Sequence, residues 1–210
     1  MVPKIIHQIW IGKDKIPDYC KELSEEMQSM HPDWEYKLWG NEVFEELYPN
    51  DKYLNHYLTN TDLYKWAFIA DRVRMLLLRD YGGIYCDLDS KPIRSFDIVL
   101  DKLHKEHTFF GGVRPMKEHN NMPPLIDVTV LGSEPQSRIV NYILSLYKDV
   151  NTVWMGKTIS DKIWNAIDLD VALFNYEYFY DDKLTDSTVI LHDIPKQRLW
   201  SWNNGKHIDL

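Results

Sequence analysis

Asp80-Tyr81-Gly82-Gly83-Ile84-Tyr85-Cys86-Asp87-Leu88-Asp89 is the stretch on which the fold turns: a long helical pattern stops at two glycines and a short strand ends in two acids. Read as a strand, residues 84–89 alternate with period two. That places Ile84, Cys86 and Leu88 toward the core and Tyr85, Asp87 and Asp89 on the opposite face. Carboxylates held that close repel each other unless a cation neutralises them, and oxygen-only ligands at a strand end suit Mg²⁺ or Mn²⁺.

Immediately upstream, the spacing predicts a helix of about 20 residues from Thr61-Asp62 to Tyr81, closed by Gly82-Gly83. At about 100° per residue, Leu63, Trp66, Ala67, Ala70, Val73 and Leu77 share an apolar arc, with Lys65, Arg72 and Arg79 on the solvent side. Arg74 falls inside the arc and Asp71 lies at its edge, one turn back. At i,i+3 the two can form an ordinary helix ion pair, worth a few tenths of a kcal/mol. A guanidinium on an apolar arc is a costly place for a decorative pair, so we read Asp71 and Arg74 as functional.

Toward the N-terminus, Lys4–Ile11 is an apolar, β-branched run closed by Gly12 and reads as a buried strand. Pro17-Asp18 opens a helix carrying Tyr19, Leu23, Met27 and Met30, which His31-Pro32 ends. Trp34, Tyr36 and Leu38 alternate with Glu35 and Lys37 as a second, half-exposed strand, and Asn41 is positioned to cap the next helix. Downstream, a helix or irregular segment runs to Leu103. His107–Val113 is a strand broken by Gly111-Gly112, and Ile126–Leu131 is another. Pro135 starts a helix through Tyr147 and Thr158 caps one through Ile167. Thr188–Leu191 forms a last strand that delivers His192, and residues 197–205 read as a loop. Residues 120–124 are the best further loop. The order implies one α/β domain over residues 1–210 with a mostly parallel central sheet and flanking helices, whose ligands bind at the carboxyl ends of the strands.

The chain of 210 residues carries 8 Trp and 13 Tyr at a net charge of −8. That charge argues against nucleic acid or an anionic membrane as partner. Cys20 and Cys86 cannot build a disulfide framework, so a reducing, cytoplasmic setting is expected. No apolar run approaches the roughly 18 residues of a transmembrane segment, and the start reads directly into a strand without a signal peptide. His7 reads as a satisfied core histidine. Trp10 alone suits a core as well as a ligand, and His192 suits a structural role as well as a Mn²⁺ site. Trp200-Ser201-Trp202 either pins the C-terminus or closes over a ligand.

Three segments taken together, residues 3–12 (Pro-Lys-Ile-Ile-His-Gln-Ile-Trp-Ile-Gly), 70–74 (Ala-Asp-Arg-Val-Arg) and 81–89, resemble the glycosyltransferases with a DXD sugar-binding motif, family 32. That group includes yeast mannosyltransferases and bacterial capsule-type sugar transferases, with glucosylating clostridial toxin domains as distant relatives. The resemblance implies a GT-A fold, a UDP- or GDP-sugar donor, a glycan or other hydroxyl acceptor, Mn²⁺ or Mg²⁺, and transfer with retention of anomeric configuration. It also implies roles: Trp10 against the nucleobase, Asp71 and Arg74 on the donor sugar hydroxyls, Tyr85 lining the donor pocket. Asp87 would reach the ribose or sugar and a metal-bound water, Asp89 would ligate the metal, and Ser201 and Trp202 would close on the diphosphate, with His192 before them. The second half departs from the pattern at Met155-Gly156-Lys157 and at Asp127, where relatives often carry Thr-Gly-Pro and Asn, which leaves the acceptor contacts open. Competing readings are a haloacid-dehalogenase-type phosphohydrolase and a noncatalytic sugar-binding protein on the same fold. Nothing in the sequence specifies the donor base, the linkage or the oligomeric state.

Overall fold

The computed structural model describes residues 1–60, 65–114, 125–146, 170–179 and 184–191. The expected helix at 158–167, the loop at 120–124, and His192, Ser201 and Trp202 lie outside them.

A six-stranded sheet in the order β2-β1-β3-β6-β5-β7 forms the centre. Its strands are β1 (Ile5–Ile9), β2 (Glu35–Trp39), β3 (Gly83–Cys86), β5 (Phe109–Arg114), β6 (Leu125–Ser133) and β7 (Val171–Asn175). β1 pairs in parallel with β2 and β3, and β5 with β7; only β6 runs against its neighbours. The mostly parallel sheet expected from the sequence is therefore present. A second, two-stranded sheet joins β4 (Lys91–Pro92) to β8 (Ile190–Leu191), just past the two acids.

Both faces of the sheet are covered, and the strand alternation divides the core in two. Ile9, Tyr85, Phe109 and Leu131 face a cluster built with α2 (Lys52–Thr59), α3 (Lys65–Tyr81) and α5 (Arg138–Leu146). Ile6, Ile84, Cys86, Phe110 and Val130 face the other, with Met27 of α1 (Asp18–Met30) and with Phe96 and Val99 at α4 (Asp97–Leu100). α1 ends where expected. His31 turns its imidazole back on the helix, donating from Nδ1 to the Met27 carbonyl at 2.8 Å and accepting the Phe96 N–H at Nε2 at 2.9 Å.

α3 is the central helix. Val73 through Leu78 are all buried, because α2 and α5 close the sides that a single-face reading leaves to solvent. Arg72, expected in solvent, instead bridges to Asp51 at 2.7 Å and retains only 14% of its side-chain exposure. Ala67, expected on the apolar arc, is exposed. The helix stops at Gly82 and Gly83, whose φ values of +64° and +89° are costly for any residue with a Cβ. A side chain at Gly83 would also lie 2.6 Å from the Ile5 carbonyl, so the close approach of α3's end to β1 requires glycine.

Several local expectations are corrected. Asn41 does not cap a helix. Its side chain accepts from the Gly12 N–H at 2.8 Å and donates to the Gly12 carbonyl at 3.2 Å, tying the loop after β1 to the end of β2. A turn of π-helix at Val43–Leu47 follows, and α2 is capped by Asp51, which accepts from the Tyr53 and Leu54 N–H groups. Leu38, expected inside, is 39% exposed on β2, an edge strand of the sheet. α5 begins at Arg138 rather than Pro135, with the Ser137 hydroxyl accepting from Val140 N–H. β3 ends at Cys86 rather than continuing to residue 89, since Ser90 N–H closes a turn onto the Asp87 carbonyl at 3.1 Å.

Candidate active site

The site is built where α3 passes the carboxyl end of β3. On α3 the i,i+3 spacing stacks Asp71 over Arg74, and Asp71 Oδ1 meets Arg74 Nη2 at 2.9 Å. Arg74 Nη1 donates to the Val128 carbonyl at 2.6 Å and lies 3.5 Å from Asp87 Oδ1. Its guanidinium also sits over the Tyr85 ring, 4.4 Å from the centroid. Tyr85 in turn donates its hydroxyl to Asp87 Oδ1 at 2.5 Å. Asp71, Arg74, Tyr85 and Asp87 thus form one connected group, with Arg74 6% exposed at its centre.

An irregularity in β6 makes this possible. Across β5 the register steps from Gly111↔Leu131 to Gly112↔Asp127, so Val128, Thr129 and Val130 have no Cα partner on that strand. The bulge re-aims the backbone. The Val128 carbonyl points to Arg74, the Thr129 carbonyl accepts from Asp87 N–H at 3.0 Å, and Thr129 N–H and Oγ1 donate to Asp127 Oδ1 at 2.9 and 2.7 Å.

The electrostatics follow from one cation among several acids in a largely dry place. Burial pushes Asp71 up to about 6 against the pull of Arg74, and Asp87 and Asp127 add to the rise. Burial disfavours the Arg74 charge, but Tyr85, Asp71, Asp87 and Asp127 outweigh it and hold the guanidinium protonated. Burial likewise holds the Tyr85 phenol well above its ordinary range, which keeps it a hydrogen-bond donor.

Asp89 takes a different environment from Asp87. Because the chain turns at residues 87–90, Asp89 does not continue the strand alternation; it lies near α1, where its charge helps raise Tyr19 and Cys20. Trp10 stands just past β1, with its N–H on the Trp39 carbonyl and its indole Nε1 donating to the Asp14 carbonyl, both at 2.8 Å. The loop it begins is anchored at Gly12, whose φ is +108° and where an added Cβ would lie 3.2 Å from the Trp66 ring, so the first turn of α3 packs close against it.

Gln8 and Asp127 take part in this site without having been singled out as its members by sequence. The signal for Gln8 was an amide inside an apolar strand; for Asp127 it was an acid two residues before a threonine near the paired glycines of β5. Among the described residues no three His, Cys, Asp or Glu side chains cluster as a complete metal cage. One carboxylate just past β3, Asp87, with a second in the turn that follows, Asp89, still fits a hard divalent cation, because such ions take one or two carboxylates and complete their shell with substrate phosphates and water.

With this geometry in view, comparison with known proteins is informative. Residues 17–110 match the profile of the glycosyltransferase sugar-binding region containing the DXD motif. Inositol phosphoceramide mannosyltransferase 3 of Schizosaccharomyces pombe is 39% identical over 100 residues, 47% of this chain and 27% of that protein. Mannosyl phosphorylinositol ceramide synthase of Saccharomyces cerevisiae is 36% identical over 105 residues, 48% of this chain and 26% of that protein. The matched part thus spans about a quarter of the length of these curated relatives. Among solved structures, the PaToxG glycosyltransferase superposes with a TM-score of 0.58 at 19% identity, covering 79% of this chain and 70% of that one. Residues 17–110, which include Asp71, Arg74, Asp87 and Asp89, thus resemble a glycosyltransferase sugar-binding region containing the DXD motif, and the fold is GT-A.

Proposed function

We propose that the chain, acting as a single domain, transfers a sugar from a UDP- or GDP-sugar to a hydroxyl of a glycan or other acceptor, with retention of configuration. The observation that carries this reading is the convergence of Asp71, Arg74, Tyr85 and Asp87 at the carboxyl end of β3, inside the stretch that matches the family. The names of the fungal relatives make a mannosyl donor and an inositol phosphoceramide-type acceptor the first pair to test. A phosphohydrolase has no comparable support, since residues 17–110, which hold the acids, match a glycosyltransferase sugar-binding region.

Breaking the bond between the anomeric carbon and the phosphate oxygen builds negative charge on the departing diphosphate. Mn²⁺ or Mg²⁺ at Asp87 and Asp89 would supply positive charge there when bound. His192 is proposed as a further ligand, and Ser201 and Trp202 as donors to the diphosphate. The described residues act by positioning. Asp71 accepts from donor sugar hydroxyls, and Arg74, already committed to Asp71 and Val128, holds that carboxylate and donates to the sugar. Trp10 flanks the base. The acceptor hydroxyl then attacks the anomeric carbon from the side the diphosphate leaves, forming the new C–O bond as the old one breaks and passing its proton to the leaving phosphate. Cys20 and Cys86 are free and buried, which supports a reducing, cytoplasmic place of action; no described helix is long and apolar enough to cross a membrane.

The test is a thermal-shift panel of UDP, GDP and their sugars with Mn²⁺, on the protein and on Asp89→Asn. A nucleotide present at 100 times its Kd raises stability by about 2.7 kcal/mol, a readily visible shift. The reading requires that the Mn²⁺-dependent shift vanish in Asp89→Asn. No shift with any nucleotide, or a shift untouched by the substitution, overturns it.

A further inference from the structure

Gln8 is fully buried on β1, on the sheet face that looks toward α1, and both ends of its amide are used. Nε2 donates to the Asp87 carbonyl at 3.2 Å, and Oε1 accepts from the Tyr36 hydroxyl at 2.5 Å. Burial pushes the Tyr36 phenol up to about 12, and a hydrogen bond with Ser24 of α1 opposes that rise, so Tyr36 is a protonated, anchored donor at neutral pH. A polar chain therefore crosses the apolar layer from Ser24 through Tyr36 and Gln8 to the backbone of Asp87.

An apolar residue would serve packing here at no cost in desolvation, so the amide needs another reason. The ladder supplies one. β1 and β3 are paired at Ile6↔Ile84 and His7↔Tyr85, and beyond that β3 turns away. The Asp87 carbonyl takes Gln8 Nε2 and Ser90 N–H, its N–H goes to the Thr129 carbonyl, and its Oδ1 is held by Tyr85 and Arg74. Gln8 stands in for the strand neighbour that the turn gives up. It thereby sets the peptide between Asp87 and Leu88, and with it the angle at which the Asp87 and Asp89 carboxylates leave the chain.

We propose that Gln8, braced by Tyr36, is a positioning residue for the acidic turn: it holds the two carboxylates in the arrangement that binds the cation bridging to a nucleoside diphosphate. Gln8 is too deeply buried to touch that ligand itself. The proposal rests on the donor-site reading above and adds the part of the chain that sets the site's geometry.

The experiment measures binding of GDP and UDP by calorimetry, with and without Mn²⁺, together with thermal midpoints, for the unaltered protein, Gln8→Met, Tyr36→Phe and the double variant. Ile6→Val, on the same strand and face, is the control for loss of packing alone. Gln8→Met should weaken Mn²⁺-dependent binding about tenfold, the scale on which partners of metal ligands act, and leave any Mn²⁺-independent binding unchanged. Tyr36→Phe should weaken it by a smaller factor, about threefold, and the double variant should be no weaker than Gln8→Met, since the two act in one chain. If Gln8→Met lowers only the midpoint, as Ile6→Val does, and binds nucleotide and Mn²⁺ as before, Gln8 is a packing residue and the proposal is overturned. Should Gln8→Met fail to fold, Tyr36→Phe decides: unchanged Mn²⁺-dependent affinity overturns the proposal. If the unaltered protein binds neither nucleotide, the donor-site reading itself falls, and this proposal with it.

Discussion

At the residue scale, Arg74 shows how much a single side chain carries. It sits among Asp71, Asp87, the Val128 carbonyl and the Tyr85 ring, a set that only a planar, multiply donating cation can satisfy. Its misfit on the apolar arc was legible from spacing alone. What spacing could not give was Val128, because a backbone carbonyl has no side-chain signature and is aimed by a bulge in a strand far along the chain. Arg74→Met should destabilise the protein by about 3–5 kcal/mol in urea titration, since Asp71 and Asp87 are left uncompensated, and Arg74→Met with Asp71→Leu should recover part of the loss.

His7 makes a second case at this scale. Trp39 Nε1 donates to its Nδ1 at 3.0 Å, and Nε2 therefore carries the proton given to the Gly82 carbonyl at 2.8 Å. Burial pushes the ring down to about 4 from an ordinary 6.5. The folded ring stays neutral while the unfolded one takes up a proton, so its contribution is intact above pH 6.5 and is lost as pH falls toward 4. The loss is on the order of 3 kcal/mol. His31, also buried and pushed down, adds to the same limb. Asp71, pushed up to about 6, takes up a proton more readily in the folded chain and opposes this limb over the same range, so the test is a difference: between pH 7.5 and 4.5, His7→Gln, which can keep both hydrogen bonds, should lose less stability, or gain more, than the unaltered protein.

At the scale of elements, β1, α1, the stop of α3 and the break in β5 were readable because each is written locally, in glycine, proline and short periodicities. α2 was read only as a helix after Asn41, whereas its regular turns run over Lys52–Thr59 with Asp51 as the cap. An eight-residue helix has little propensity of its own and is held by Tyr53, Leu54 and Tyr57 in the core and by the bridge from Asp51 to Arg72. The same misplacement sent Arg72 to solvent, since a helical wheel cannot show which neighbour will cover a face. Asp51 thus does two jobs that substitution can separate. Asp51→Asn keeps an acceptor for the cap and loses the ion pair, whereas Asp51→Ala loses both. Asp51→Ala should therefore be less stable than Asp51→Asn by about 1 kcal/mol, the worth of a cap, in the midpoint of urea unfolding.

Across the whole molecule, the plan of the candidate site was more legible than its construction. Asp71, Arg74, Tyr85 and Asp87 do meet, but the alternation that placed Asp89 beside Asp87 failed. Whether a ladder continues depends on its neighbours, here Gln8 and Thr129, and not on the period of the strand itself. α3 ties these levels together, packing Trp66 against Gly12 at one end and running at the other into the glycine turn that meets β1 at Gly83, with Val73–Leu78 buried between. Such a helix has no local way to open. Its amide protons at residues 73–78 should be among the last to exchange with deuterium, at rates that track global unfolding rather than fraying. A ligand that binds the acidic turn should slow them by the same factor by which it stabilises the fold, so this buried segment can report on the site without touching it.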